Sequence, residues 1–244
     1  MQSYAVVYEN PDLIAVSKLL PIPVLPDPSG DRSLSQILLE DLSLRDGKAP
    51  ERCEAAHRID RPVSGIIVFA KNEKTLSALT RSFRERRVEK RYLAAVSPAP
   101  KDPSGTLRHL IGWNKMRAKA FVGDPDPAVR GGKIRRDMKD AALEYRTLVA
   151  GERYAILEIS METGRHHQIR AQLASIGCPI KGDAKYGARR PNPSGLISLH
   201  SWRLALPPEF GVPPLEAPPP SEGPNGDGVW SLLAGAGDAG ANAP

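Results

Sequence analysis

His57-Arg58-Ile59-Asp60-Arg61-Pro62-Val63-Ser64-Gly65 runs directly into Ile66-Ile67-Val68-Phe69-Ala70. The second half is short, β-branched and almost wholly apolar, the pattern of a strand buried on both faces. The first half is a charged loop that sets one carboxylate between two guanidinium groups just before that strand. An Asp so flanked is held ionised by the opposite charges. A carboxylate at the end of a buried strand is well placed to be a fixed nucleophile or base. A loop ion pair is the plainer use of the same residues.

Outward from this strand the pattern stays β-rich. Upstream, Tyr4 to Tyr8 and Leu13 to Val16 are short β-prone runs across the turn residues Asn10-Pro11-Asp12. After a proline-rich loop, Ser33 caps a helix whose apolar positions Leu34, Ile37, Leu38 and Leu42 share a face. Downstream, Asn72 starts a helix with Leu76, Leu79 and Phe83 facing inward, and a strand follows around Arg91 to Val96. Residues 98–139 read as an irregular, elaborated insertion with short β candidates at Thr106–Leu110 and Arg117–Val122. Leu143–Val149 and Tyr154–Met161 look like paired strands. Thr163-Gly164 then leads into a helix with Ile169, Leu173 and Ile176 on one face, closed by Gly177. Strands follow at Leu196–His200 and Trp202–Leu206. Helices interposed this irregularly predict an α+β fold with a mixed, largely antiparallel sheet.

Composition narrows the class. The 244 residues are 41% hydrophobic and 25% charged, ordinary for a globular chain. No apolar run is long enough to span a bilayer, and Met1 to Asp12 lack a secretory pattern. Cys53 and Cys178 stand alone, outside any C-x-x-C pair, and read as reduced thiols in a cytoplasmic protein. From Pro207 onward the chain is rich in Pro and Gly and carries five acids with no Lys or Arg. The net charge of +6 therefore understates how basic the body is. Residues 1–210 are expected to form the folded body, and 211–244 a disordered acidic tail, with Val229-Trp230-Ser231-Leu232-Leu233 as an apolar island in it.

Two basic clusters suggest a polyanionic partner. One holds Arg81, Arg84, Arg86, Arg87, Lys90 and Arg91. The other runs from Lys115, Arg117 and Lys119 through Arg130, Lys133, Arg135 and Arg136 to Lys139. Each alone is equally a solvated face. Thr163-Gly164-Arg165-His166-His167-Gln168-Ile169-Arg170 places cationic side chains on the expected first turn of a helix, where anions are attracted. His166 and His167 are adjacent and point to different faces, so metal-ligand spacing at i, i+4 is missing and no metal site is proposed. Tyr92, in Lys90-Arg91-Tyr92, is an aromatic in a basic strand, suited to base stacking or to packing a sheet face.

These segments resemble, in order, the motifs of the RluA family of pseudouridine synthases. The His57–Gly65 run is similar to H-R-L-D-x-x-T-S-G. Thr163 to Arg170, continuing to Ile180, resembles T-G-R-x-H-Q-I-R…L-x-x-x-G-x-P-I. Gly182-Asp183 and Lys185-Tyr186-Gly187 match the G-D…Y-G continuation, and Lys90 to Val96 resembles K-x-Y-x-A-x-V. Asp12 to Lys18 looks like the opening strand and Leu199-His200-Ser201 a closing one.

The resemblance implies an active-site cleft across the sheet and an RNA uridine isomerase that needs no cofactor or metal. It implies a monomer acting on rRNA or tRNA. It casts Asp60 as the nucleophile, Arg165 as the cation paired with it, and Tyr92 as the ring against the uracil. It gives Arg58 an RNA contact and Ile169 a wall of the base pocket, and extends RNA and substrate contacts to His57, Arg61 and His167. The motifs begin near residue 4, which leaves no room for the small S4-type N-terminal RNA-binding domain of some members. Pro62 and Val63 depart from the family's polar residue and Thr, a loss of a hydroxyl expected to loosen the Asp60 loop. A scaffold that binds RNA or assists ribosome assembly without catalysis is the competing reading.

Overall fold

The computed structural model describes residues 2–123, 138–220 and 227–236. In chain order it contains β1 (Tyr4–Glu9), β2 (Leu13–Lys18), α1 (Leu34–Asp46), β3 (Glu54–Ala55), β4 (Ser64–Ala70) and α2 (Glu73–Arg84). Then come β5 (Glu89–Val96), β6 (Ser104–Asn114), β7 (Lys119–Gly123), β8 (Lys139–Ala150), β9 (Ala155–Met161) and α3 (Gln168–Ser175). Last are β10 (Leu199–Ala205), β11 (Leu215–Glu216) and α4 (Leu232–Ala236). Four helices among mostly antiparallel strands make the predicted α+β class. Among the described residues no helix is long and apolar enough to cross a membrane.

The chain divides into two structural units. The first comprises Met1–Arg91 and His200–Asn225, the second Tyr92–Leu199 and Gly226–Pro244.

In the first unit, β2 and β4 are buried along their whole length. β2 lies antiparallel to β1 on one side and to β4 on the other. β4 then runs parallel to β10, which takes β11 antiparallel. That parallel pair makes the sheet mixed. Its core joins Leu13, Ile66, Val68 and Leu79 with Leu204 and Leu215. Both helices begin as their caps predict. Ser33 and Gln36 form a reciprocal capping box, and the Asn72 side chain accepts the Thr75 N–H at 2.9 Å.

Gly65 fixes the start of β4. Its φ is +110°, and a Cβ there would meet the Ser201 carbonyl oxygen at 2.3 Å. Gly65→Ala therefore combines left-handed strain with a backbone clash in a parallel pair. A destabilisation of about 3 kcal/mol or more is expected. Urea unfolding of the variant measures it, and an unchanged midpoint would contradict the close approach.

In the second unit the strand order is β5-β9-β8-β6-β7. β6 pairs antiparallel with β8 from Ser104↔Arg146 to Ile111↔Lys139, and with β7 from Leu110↔Gly123 to Asn114↔Lys119. α3 packs Ala171 against Ile111, Ala120, Ala141 and Tyr186.

Four expectations are corrected here. The part of 98–139 that is described is regular: β6 and β7 form a long hairpin instead of an irregular insertion. Arg130, Lys133, Arg135 and Arg136 lie outside the described residues. The chain beyond Gly211 is not uniformly disordered, because Leu215 and Ala217 are 3% and 2% exposed and β11 joins the sheet. Val229 and Trp230 are also buried, at 8% and 4%; residues 221–226 and 237–244 lie outside the described residues. The two runs expected at Leu196–His200 and Trp202–Leu206 are one strand, β10. Finally, α3 begins only at Gln168, since His167 sits at φ 55° in the left-handed region. The polar residues from Arg165 to His167 thus belong to the preceding turn, and Ile176, expected inside, is 37% exposed.

Candidate active site

Asp60 lies on the turn between β3 and β4. The Asp60 carbonyl accepts the Val63 N–H at 3.0 Å, closing the turn around Arg61 and Pro62. Val63 is 2% exposed. The hydroxyl that the family places here is thus replaced by an apolar anchor.

A second anchor comes from beneath. Lys18, the last residue of β2, is fully buried, and its Nζ donates to the carbonyls of Arg61 at 2.7 Å and Leu20 at 2.8 Å. Burial pushes the Lys18 pKa down to about 7; the Asp60 carboxylate opposes this and Arg61 adds to it. Sequence reading gave Lys18 no role. The available signal was a lone charge closing an otherwise apolar strand.

The other residues of the loop divide by contact. The His57 ring stacks on Phe83 with centroids 4.4 Å apart, and its Nε2 accepts the Val68 N–H at 3.1 Å. It thereby extends the pairing of β4 beyond the Ala55↔Phe69 end of β3. Burial and the nearby Lys90 charge push its pKa down to about 3. Arg61 does not act as one of two guanidinium groups reserved for Asp60. It binds Asp31 at 2.5 Å, the Ser29 hydroxyl at 2.6 Å and Asp27 at 3.5 Å in the proline-rich loop. Arg58 is exposed and has no hydrogen bond or ion pair among the described residues.

Behind the loop, the Ser64 hydroxyl meets His200 Nδ1 at 2.8 Å, and His200 Nε2 meets the Ala217 carbonyl at 2.9 Å. His200 is fully buried, which pushes its pKa down to about 4, against a smaller upward effect of the Ala217 carbonyl. An unfolded histidine titrates near 6.5, so the neutral ring contributes its full stability above pH 6.5 and loses it as pH falls toward 4. The loss from His200 by pH 5 is about 2 kcal/mol. His57 shifts in the same direction. Urea midpoints at pH 7 and pH 5 are expected to differ less in His200→Asn than in the wild type. An equal drop in both would contradict this assignment.

The second unit carries the other motif residues. Tyr92 is half-buried at the head of the buried run Leu93–Val96. The Thr163–His167 turn is held by side chains in place of helix geometry. Thr163 Oγ1 accepts the Ala142 N–H at 2.9 Å and donates to Gln168 Oε1 at 2.8 Å. Gln168 Oε1 also accepts the Arg165 N–H at 2.9 Å. The Arg165 side chain extends from this turn, and its Nε donates to the Asp140 carbonyl at 2.9 Å. Ile169 is buried on α3.

His167 Nδ1 lies 2.8 Å from the Tyr186 hydroxyl, which also accepts the Ala120 N–H at 2.7 Å. His166 stacks on Trp113 with centroids 4.2 Å apart. Under this cluster runs a buried ion pair, Arg170 Nε to Asp183 Oδ2 at 2.7 Å and Nη2 to Oδ1 at 2.9 Å. Arg170 and Asp183 both stand in the motifs, but a pairing across 13 residues leaves no local signal in the sequence. Cys53 and Cys178 are buried free thiols. Burial raises both pKa values, that of Cys53 to about 12, so neither is a thiolate nucleophile.

A family model described as RNA pseudouridylate synthase matches residues 13–175, a span that contains the Asp60 turn, Tyr92 and the Thr163–Arg170 segment. An uncharacterized RNA pseudouridine synthase of Aquifex aeolicus is 34% identical over 201 residues, covering 80% of this chain and 60% of that protein. Ribosomal large subunit pseudouridine synthase D of Borreliella burgdorferi is 30% identical over 209 residues, covering 83% of this chain and 60% of that one. The chain thus spans about 60% of the length of these two relatives.

The solved structure of human RNA Pseudouridylate Synthase Domain Containing 4 has the same fold, with a TM-score of 0.74 at 23% identity over 87% of each chain. A motif order read from the sequence, a family match across two thirds of the chain and a shared fold agree: the chain belongs to the RNA pseudouridylate synthase family, of the RluA type.

Proposed function

We propose that the protein is an RNA pseudouridine synthase that isomerises specific uridines in structured rRNA or tRNA, with Asp60 as its nucleophile. The observation that carries this reading is the Asp60 turn, tied through Arg61 to a fully buried lysine and continued into a fully buried strand. Catalysis by a carboxylate needs it held in one place, and bonds from Val63 and Lys18 to the main chain of this turn support that.

The chemistry asks for an ionised carboxylate and a nucleotide taken out of its stack. Attack by Asp60, at the base or at the sugar carbon, breaks the N-glycosidic bond. The freed uracil turns and rejoins the ribose through C5, and the C5 proton leaves. The reaction is an isomerisation and consumes no cofactor. In this reading Tyr92 packs against the uracil, Arg165 supplies the positive charge for the nucleophile, and Ile169 walls the base pocket. Arg58, the unpaired cation beside the turn, contacts the RNA. His57 and Arg61 shape the loop as well as flanking the substrate, and His167 serves its side of the pocket from the Tyr186 cluster. The protein works as a monomer, and two free buried thiols agree with a cytoplasmic setting.

Incubation with RNA labelled with tritium at uracil C5 tests this. Released tritium together with new pseudouridine is the expected outcome. Salt-dependent RNA binding without either product would favour the non-catalytic scaffold.

A further inference from the structure

A pocket of about 660 Å³ opens in the second unit, lined by Arg153, Tyr154, Lys181, Arg189, Arg190 and Asn192 among others. Its lining shares no residue with those given chemical roles above. Lys181 leads into Gly182-Asp183, so the ion pair between Asp183 and Arg170 steadies one wall. Arg153, Arg189 and Arg190 are exposed and have no acidic partner among the described residues.

The fourth cation is already engaged. Lys181 Nζ binds both carboxylate oxygens of Asp227, at 2.7 and 2.9 Å, and Asn192 Oδ1 at 2.9 Å. The same carboxylate accepts from Asn192 Nδ2 at 3.3 Å, from the Val229 N–H at 3.2 Å and from the Ser198 hydroxyl. Asp227 belongs to the acidic C-terminal segment, seated here by Trp230, which is 4% exposed. Lys181, Asn192 and Ser198 together thus hold a carboxylate, while three guanidinium groups at the rim remain uncompensated.

We propose that this pocket binds a backbone phosphate of the RNA, and that Asp227 tempers its affinity by occupying Lys181. The proposal rests on the reading that the protein acts on RNA. Guanidinium forks suit the bidentate geometry of phosphate oxygens. Tyr154, with Lys181 Nζ 5.8 Å from its ring centroid, offers an aromatic face beside them. A volume within the ~300–1,000 Å³ of small-ligand sites accommodates a nucleotide unit.

The test is fluorescence anisotropy with a labelled, uridine-containing RNA hairpin, titrated at several salt concentrations. The triple variant Arg153→Ala/Arg189→Ala/Arg190→Ala is expected to bind about tenfold more weakly, with the log–log salt slope reduced by about two. Lys48→Ala/Lys101→Ala, on exposed residues outside the pocket, is expected to change neither. Asp227→Asn is expected to tighten binding about threefold and steepen the slope by about one, because Lys181 loses its carboxylate whether or not the segment stays seated. Wild-type affinity and slope in a folded triple variant would overturn the proposal. Tritium release separates this from the catalytic reading. Normal release and KM in the triple variant sink the pocket and leave the enzyme. Absent release by a wild-type protein that shows the expected slopes sinks the enzyme and leaves the pocket.

Discussion

Asp60→Asn is expected to lower tritium release by about a thousandfold or more while leaving the fold intact. The amide preserves the shape of the side chain and removes its nucleophilic charge. Several contacts that hold the turn run through the main chain. Val63 bonds to the Asp60 main chain, and Lys18 bonds to the Arg61 and Leu20 carbonyls. Thermal unfolding should therefore stay close to wild type. Asp60→Glu is expected to be nearly as inactive, since one added methylene moves the carboxylate by more than a reacting geometry tolerates. A folded Asp60→Asn protein that releases tritium at the wild-type rate would remove Asp60 from the chemistry.

The second large effect is on stability. Arg170 and Asp183 have side chains only 5% and 1% exposed and meet in a bidentate pair. Asp183→Ala takes the bidentate carboxylate away from the buried Arg170 guanidinium, a loss of about 3–5 kcal/mol. For a chain of this size that lowers the melting temperature by about 10 °C. The consequence extends to the candidate site, because Arg170 lies over the Tyr186 ring at 4.9 Å and the Tyr186 hydroxyl meets His167. Replacing both partners, as Arg170→Met with Asp183→Leu, removes the stranded charge and is expected to recover much of the loss. Calorimetry of the two variants decides it. Equal melting temperatures in wild type and Asp183→Ala would contradict the role of the pair.

Local rules made much of this molecule legible before any coordinates. Ser33 and Asn72 marked helix starts because a cap is a contact across three residues. The Ile66–Ala70 run marked a buried strand because burial on both faces leaves only apolar positions. What stayed hidden depends on contacts distant in sequence. Arg61 looked like a partner for Asp60, yet Asp27, Ser29 and Asp31 claim it across about thirty residues. The turn before α3 read as helix because Thr163 and Gln168 bind Ala142, a residue on another strand.

Composition misled at two places. Residues 98–139 taken together are rich in charge, Gly and Pro, but in 104–123 exposed and less exposed positions alternate along much of β6, as on a hairpin with one wet face. The Pro-rich segment after Gly211 has few apolar residues, but Leu215 and Ala217 are buried, β11 pairs with β10 and the Ala217 carbonyl meets His200. Of the candidate site, motif positions were readable and their supports were not. Lys18 reaches the Arg61 carbonyl and His200 the Ser64 hydroxyl across long stretches of chain, which no periodicity records.

The most direct test of the central claim uses wild-type protein and RNA labelled with tritium at uracil C5, taken from cells lacking the gene so that target sites are unmodified. Release is followed over time and compared with the pseudouridine content of the same RNA. The account predicts release that plateaus at one tritium for each pseudouridine formed, with no added metal or cofactor. A folded protein that binds this RNA in a salt-dependent manner, yet yields neither tritium nor pseudouridine, would contradict it.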